Sequence, residues 1–242
     1  MNIALLTFSR AFSYGAMLQC YSLSKILMDA GHQVFLVRSD LKAEKGWRYY
    51  LNSLTRCSNF RKFRKYSLPP VLKDQYKDFI DLYIVGSDQV WNPHIAIRPL
   101  DYFFEFLPSK VKRISYAASF GTKTWDCSFL TEQVTICLKK FNAISVRENS
   151  GIDICQNIFH VTSECVLDPT LLLSDYSHLT ITSTCYQNSL LYYRVSYRSD
   201  WGDFASYIGA HLKLKVKELD GKKQISFLPL MGGINYEYPS IG

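Results

Sequence analysis

Ser87, Asp88, Gln89 and Asn92 crowd around Trp91 in a short run between Gly86 and Pro93. Their side chains offer both donors and acceptors for sugar hydroxyls. The indole of Trp91 offers a face on which the apolar side of a sugar ring can stack; the alternative is a helix cap at Ser87 or Asp88 with Trp91 in the core. Gly86 suits a tight turn at the head of this run. A second candidate is the polar connection from Thr7 to Gly15, where Ser13, Tyr14 and Gly15 lead into a helix. Backbone N–H groups at a helix start suit a phosphate or carboxylate. Its glycine spacing is not G-x-G-x-x-G, and nothing in it matches a Walker loop. A third is Arg147, whose fork fits a carboxylate or phosphate; a local ion pair with Glu148 explains it equally well. Asp168 stands before Pro169 and is read first as a turn former. These residue types point to a hydroxyl-rich ligand and an anionic one, and they single out no catalytic residue.

Each of these segments follows a predicted strand, and in an open α/β sheet ligands gather at the carboxyl ends of the strands. Short apolar runs predict strands at 3–6, 34–37, 82–85, 114–118 and 143–146, with a brief one at 166–167. Helical spacing of Ala16, Cys20, Leu23 and Leu27 predicts a helix from about residue 16, with Ser13 its candidate N-cap. Further helices are expected over 128–140 and after Asn149. The alternation predicts an α/β fold, with a Rossmann-like, mostly parallel sheet domain over 1–175. A polar linker over 176–189 leads to a second α/β unit over 190–242, with strands at 190–195 and 215–219, a helix at 201–211 and an apolar run at 225–230. Those elements are too few to cover both faces of a parallel sheet. The second domain is therefore expected to be incomplete, with an exposed edge that docks on the first domain or on another copy in an oligomer.

Nearly half of the 242 residues are hydrophobic, enough for a sizeable core. No apolar run approaches the ~20 residues of a membrane span, and the N-terminus lacks the features of a secretory signal. The expected location is the cytoplasm. The net charge of +7 is concentrated, with ten Lys and Arg against two acids between Lys42 and Lys77. Within residues 47–65, Trp47, Tyr50, Leu51, Leu54, Phe60 and Phe63 recur at roughly helical spacing among Arg56, Arg61, Lys62, Arg64 and Lys65. Such a segment suits peripheral contact with the anionic inner face of a membrane, or else a solvated basic face. No nucleic-acid motif accompanies it, so no nucleic-acid partner is expected. The seven cysteines are scattered with no C-x-x-C pair, and none of the five histidines pairs at ligand spacing. Neither a disulfide framework nor a metal site is expected.

Taken together, five segments resemble the polysaccharide pyruvyl transferase family. They are Tyr14-Gly15-Ala16-Met17-Leu18-Gln19 with the strand before it, Tyr83-Ile84-Val85-Gly86-Ser87-Asp88-Gln89-Val90-Trp91-Asn92-Pro93, Ile114-Ser115-Tyr116-Ala117-Ala118-Ser119-Phe120-Gly121, Ile144-Ser145-Val146-Arg147-Glu148 and Val166-Leu167-Asp168-Pro169-Thr170. The resemblance implies a two-domain GT-B-like architecture and transfer of a pyruvyl group from phosphoenolpyruvate to a sugar hydroxyl. The setting it implies is exopolysaccharide or cell-surface glycan synthesis, on a free or lipid-linked acceptor. It implies no cofactor beyond the donor substrate, and makes Arg147 a candidate for holding that donor. It also implies a second-domain stretch ending in His-Gly that helps bind the donor and supplies acid catalysis; no His-Gly occurs in this sequence. Two other readings stay open. One is a truncated, non-catalytic remnant or saccharide-binding partner subunit. The other is a GT-B-type glycosyltransferase, which rests on fold analogy alone.

Overall fold

Strand β1, Asn2–Leu6, is apolar from Ile3 onward, and those four side chains are almost wholly buried. A continuous apolar run is what a strand covered on both faces requires. In the computed structural model, which describes residues 1–11, 13–38, 60–179, 188–194 and 200–220, β1 lies at the centre of a parallel sheet. Its neighbours are β2, Gln33–Leu36, on one side and β3, Leu82–Val85, on the other. Strand β4, Arg113–Ser115, follows β3. Two short strands, β5 at Ser145–Val146 and β6 at Glu164–Cys165, pair in parallel. Single bridges from Ile114 to Ala143 and from Ala118 to Val146 join β5 to the β4 chain. The order β2-β1-β3-β4 is one of the doubly wound orders, with the connection reversing direction between β1 and β3. In the classic dinucleotide order the third strand instead lies outside the second. Here residues 70–72 take that outer edge, exchanging backbone hydrogen bonds of 2.8 Å with Leu36.

Helix α1, Tyr14–Asp29, begins two residues earlier than its apolar pattern suggests. Ser13 has the extended backbone of an N-cap, and its carbonyl accepts from the Met17 N–H at 3.1 Å, yet its hydroxyl caps nothing. Ala16, Cys20 and Leu23 are buried as their spacing demands. Residues 60–67 form a second helix, α2, that lays Phe60 on Tyr14 and Phe63 on Tyr21. These two aromatics are thus spent on α1 rather than presented to a bilayer; the rest of the basic amphipathic segment, 47–59, lies outside the described residues. The expected helix over 128–140 is a 3₁₀ turn followed by α3, Thr131–Leu138. Helix α4 spans Asn149–Asn157. The brief strand expected at 166–167 is β6, two residues earlier.

From Asp175 onward the described residues belong to a separate compact unit. It holds β7, Ser189–Arg194, α5, Asp200–His211, and β8, Lys215–Asp220, with the two strands parallel. Helix α5 lies close on β8, since a Cβ added at Gly209 would come within 2.3 Å of Val216 Cγ2. The apolar run expected at 225–230 lies outside the described residues. Among the described residues no helix is long and apolar enough to cross a membrane.

Candidate functional site

The carboxyl ends of β1, β3, β4 and β5 converge at the point where the strand order reverses, the position at which open α/β sheets hold ligands. Thr7, just past β1, is fully buried and donates its hydroxyl to the Ser87 carbonyl at 2.8 Å. Gln19 on α1 donates to the Thr7 hydroxyl at 2.8 Å, tying the first turns of the helix to this crossing. Gly86 has no left-handed backbone. Its lack of a side chain serves packing, because a Cβ there would meet Leu5, Thr7 and Leu23 at 3.1–3.3 Å. The left-handed residue of the turn is Asp88, with φ 89. A non-glycine residue in that region costs ~1–3 kcal/mol and persists where the surroundings dictate it. Here the Asp88 carbonyl accepts from the Ser119 N–H at 3.0 Å and its carboxylate from the Gln89 N–H at 2.8 Å.

Beside this turn lies a hydrogen-bonded cluster built from four chain segments. Asp168 Oδ2 accepts from the Ser87 hydroxyl at 2.7 Å and from Arg147 Nη1 at 2.9 Å. Its other oxygen accepts from both the N–H and the hydroxyl of Thr170, which caps the 3₁₀ turn Pro169–Leu171. Arg147 Nε lies 3.5 Å from Glu148, and Glu148 in turn accepts from the Ser119 hydroxyl at 2.5 Å. Burial works to raise the Asp168 carboxyl, but the donors from Ser87, Thr170 and Arg147 outweigh it and hold the group below its ordinary range. Asp88 differs. Burial pushes its carboxyl up, against the single Gln89 N–H and the charge of Arg147. Two neighbouring carboxyls are thereby driven in opposite directions, Asp168 toward its ionised form and Asp88 away from it.

The site residues drawn from the sequence divide into three groups. Ser87 and Arg147 meet in this cluster, and Asp88 stands in the turn beside it. Gln89 and Asn92 face each other, Asn92 Nδ2 donating to Gln89 Oε1 at 3.2 Å, with Gly121 packed beside them. Ser13, Tyr14 and Gly15 occupy the first turn of α1, Ser13 and Gly15 exposed and Tyr14 half-covered by Phe60. Trp91 is where the sequence reading is corrected. Its indole is fully buried, stacked on Phe103 at 5.4 Å and 11°, flanked by Phe120 and Phe141, with its N–H donated to the Tyr102 carbonyl. No face is left for a sugar, because the aromatic 3₁₀ segment Pro99–Phe103 folds back over it. The sequence reading gave Ser119 no role, gave Glu148 only a local one, and favoured a turn-forming role for Asp168. The available signal was their position, each directly after a strand.

No curated protein matches the chain at the level of similarity required. The family model described as polysaccharide pyruvyl transferase matches residues 14–238, which include Ser87, Asp88, Ser119, Arg147, Glu148 and Asp168, and the chain belongs to that family.

Proposed function

We propose that this protein transfers a pyruvyl group from phosphoenolpyruvate onto sugar hydroxyls in the synthesis of a surface or exported polysaccharide, within a GT-B-like architecture. When the product is a cyclic ketal, two hydroxyl oxygens bond to the enol carbon and phosphate leaves. One hydroxyl proton ends on the methylene carbon, which becomes methyl, and the other on the phosphate. The observation that carries this reading is the gathering of Ser87, Asp88, Arg147 and Asp168 at the carboxyl edge of the sheet in a chain of this family, where burial also raises the Asp88 carboxyl. A carboxylate of raised basicity is suited to take a proton from an attacking hydroxyl. Gln89 and Glu148 are acceptors suited to orienting the sugar.

The anionic donor falls to Arg147 and to the first turn of α1, which carries no acidic residue. Arg147 comes to that task with Asp168 and Glu148 already at its guanidinium. Its role is therefore to receive an anion that competes with those partners, which favours weak, exchangeable donor binding. The test is phosphate release from phosphoenolpyruvate by the full chain in the presence of oligosaccharide acceptors, with mass spectrometry of the product. Transfer that Asp88→Asn abolishes and Arg147→Ala weakens through donor KM supports the reading. Saccharide binding without phosphate release would favour a non-catalytic sugar-binding subunit.

A further inference from the structure

His94 and Asp126 lie 32 residues apart, so the sequence shows no ligand spacing between them, yet the fold sets both beside Cys127. His94 Nε2 stands 3.0 Å from Asp126 Oδ1, 3.1 Å from Oδ2 and 3.6 Å from Cys127 Sγ. Cys127 Sγ is 3.5 Å from Asp126 Oδ1. One imidazole nitrogen carries either one proton or one lone pair. It cannot form good hydrogen bonds with two carboxylate oxygens and a sulfur at once, but a cation between them can bind an imidazole, a carboxylate and a thiolate together.

The separations support this. With zinc bonds of about 2.3 Å to sulfur, 2.05 Å to nitrogen and 2.1 Å to oxygen, a tetrahedral site has S···N and S···O edges of about 3.6 Å and an N···O edge of about 3.4 Å. The two sulfur edges are already at that length. The N···O edge needs to open by about 0.4 Å, and the His94 and Asp126 side chains are exposed enough to supply it. The backbone stretches that carry these residues are also held from outside the cluster. The His94 N–H donates to Asn92 Oδ1 at 3.0 Å, Trp125 is pinned by Thr131 and Phe159, and the Cys127 carbonyl accepts from the Leu130 N–H.

We propose that His94 Nε2, a carboxylate oxygen of Asp126 and Cys127 Sγ form a binding site for one divalent transition metal, zinc by preference, with a fourth position for water. A thiolate and an imidazole select zinc over magnesium or calcium, which take oxygen ligands. The inference stands apart from the pyruvyl-transfer reading and does not use its residues.

The test is titration of the chelator-treated full chain with Co²⁺, followed by competition with Zn²⁺. The expected result is one equivalent bound, with a sulfur-to-cobalt charge-transfer band and the strong visible bands of a tetrahedral site. His94→Gln changes an exposed side chain and leaves the fold intact. It should remove the band and weaken zinc binding by more than the roughly 10–100-fold that loss of a supporting group costs. Asp126→Asn should weaken it as well, and Cys165→Ser, at an exposed cysteine outside the cluster, should change nothing. Weak octahedral bands without charge transfer would overturn the proposal. So would a thiolate band that survives in Cys127→Ser, which would place the metal on other cysteines.

Discussion

Replacing Asp168 by Asn keeps the shape of the side chain and removes its charge. The amide oxygen can still accept from Thr170, as Oδ1 does now at 3.0 and 2.7 Å. The amide nitrogen then faces the Ser87 hydroxyl and the Arg147 guanidinium, both of which are donors toward Oδ2 in the native protein. A hydrogen bond to a charged group contributes about 1.5–3 kcal/mol, and stripping one partner from a buried ion pair costs about 3–5 kcal/mol. Arg147 is partly exposed and retains Glu148, which lowers the cost. The expected loss at neutral pH is about 2–3 kcal/mol, or about 4–12 °C in Tm for a unit of this size. The loss should depend on pH with a definite sign. The folded carboxyl sits below its usual 3.8, so its contribution is complete above that value and disappears as pH falls through the folded pKa. Urea denaturation of both proteins across pH 7 to 2.5 measures the gap directly. A gap below about 0.5 kcal/mol at pH 7, the level of an ordinary surface substitution, would refute the reasoning, as would one that does not shrink below pH 3.8.

Trp91→Ala should cost about 3–5 kcal/mol in urea denaturation, since it empties the space among Phe103, Phe120 and Phe141; a loss of sugar affinity at unchanged stability would restore the stacking role. Gly121→Ala should destabilise by about 1–2 kcal/mol, because Gly121 has φ 71 and a Cβ there would lie 2.5 Å from Gln89 Oε1. If thermal melts of the two proteins coincide, the Gln89 amide yields without cost. Asp88→Gly relieves the φ 89 backbone and should hold or raise Tm while lowering transfer, and Asp88→Asn should lower kcat by about 10²–10⁴-fold. On the proposed transfer reading, the acidic limb of kcat/KM in the native protein should lie above 3.8, since burial raises this carboxyl; a limb unmoved by Asp88→Asn would assign it to another group.

The second compact unit contributes β7, α5 and β8, and the sequence reading placed these within about a residue because each is a short, locally consistent run. The same holds for β1 and β3, whose uninterrupted apolar stretches leave no alternative to a strand buried on both faces. That Ser87, Asp88 and Arg147 would lie near one another was also legible, because strand ends in a parallel sheet all open on one edge. What the sequence could not settle were matters of which side chain faces inward and which distant loop comes near. Trp91 alternates with polar neighbours in a loop, where no periodicity fixes its direction, and only the return of Pro99–Phe103 over it makes it core. Asp168 reads locally as a turn former, and becomes the hub for Ser87 and Arg147 only when β6 is set beside β5. His94 reaches the adjacent pair Asp126-Cys127 only through packing between loops 32 residues apart. Local propensity and burial pattern depend on near neighbours in the chain, whereas a cluster of polar side chains depends on loop-to-loop packing across long separations, which no short-range pattern encodes.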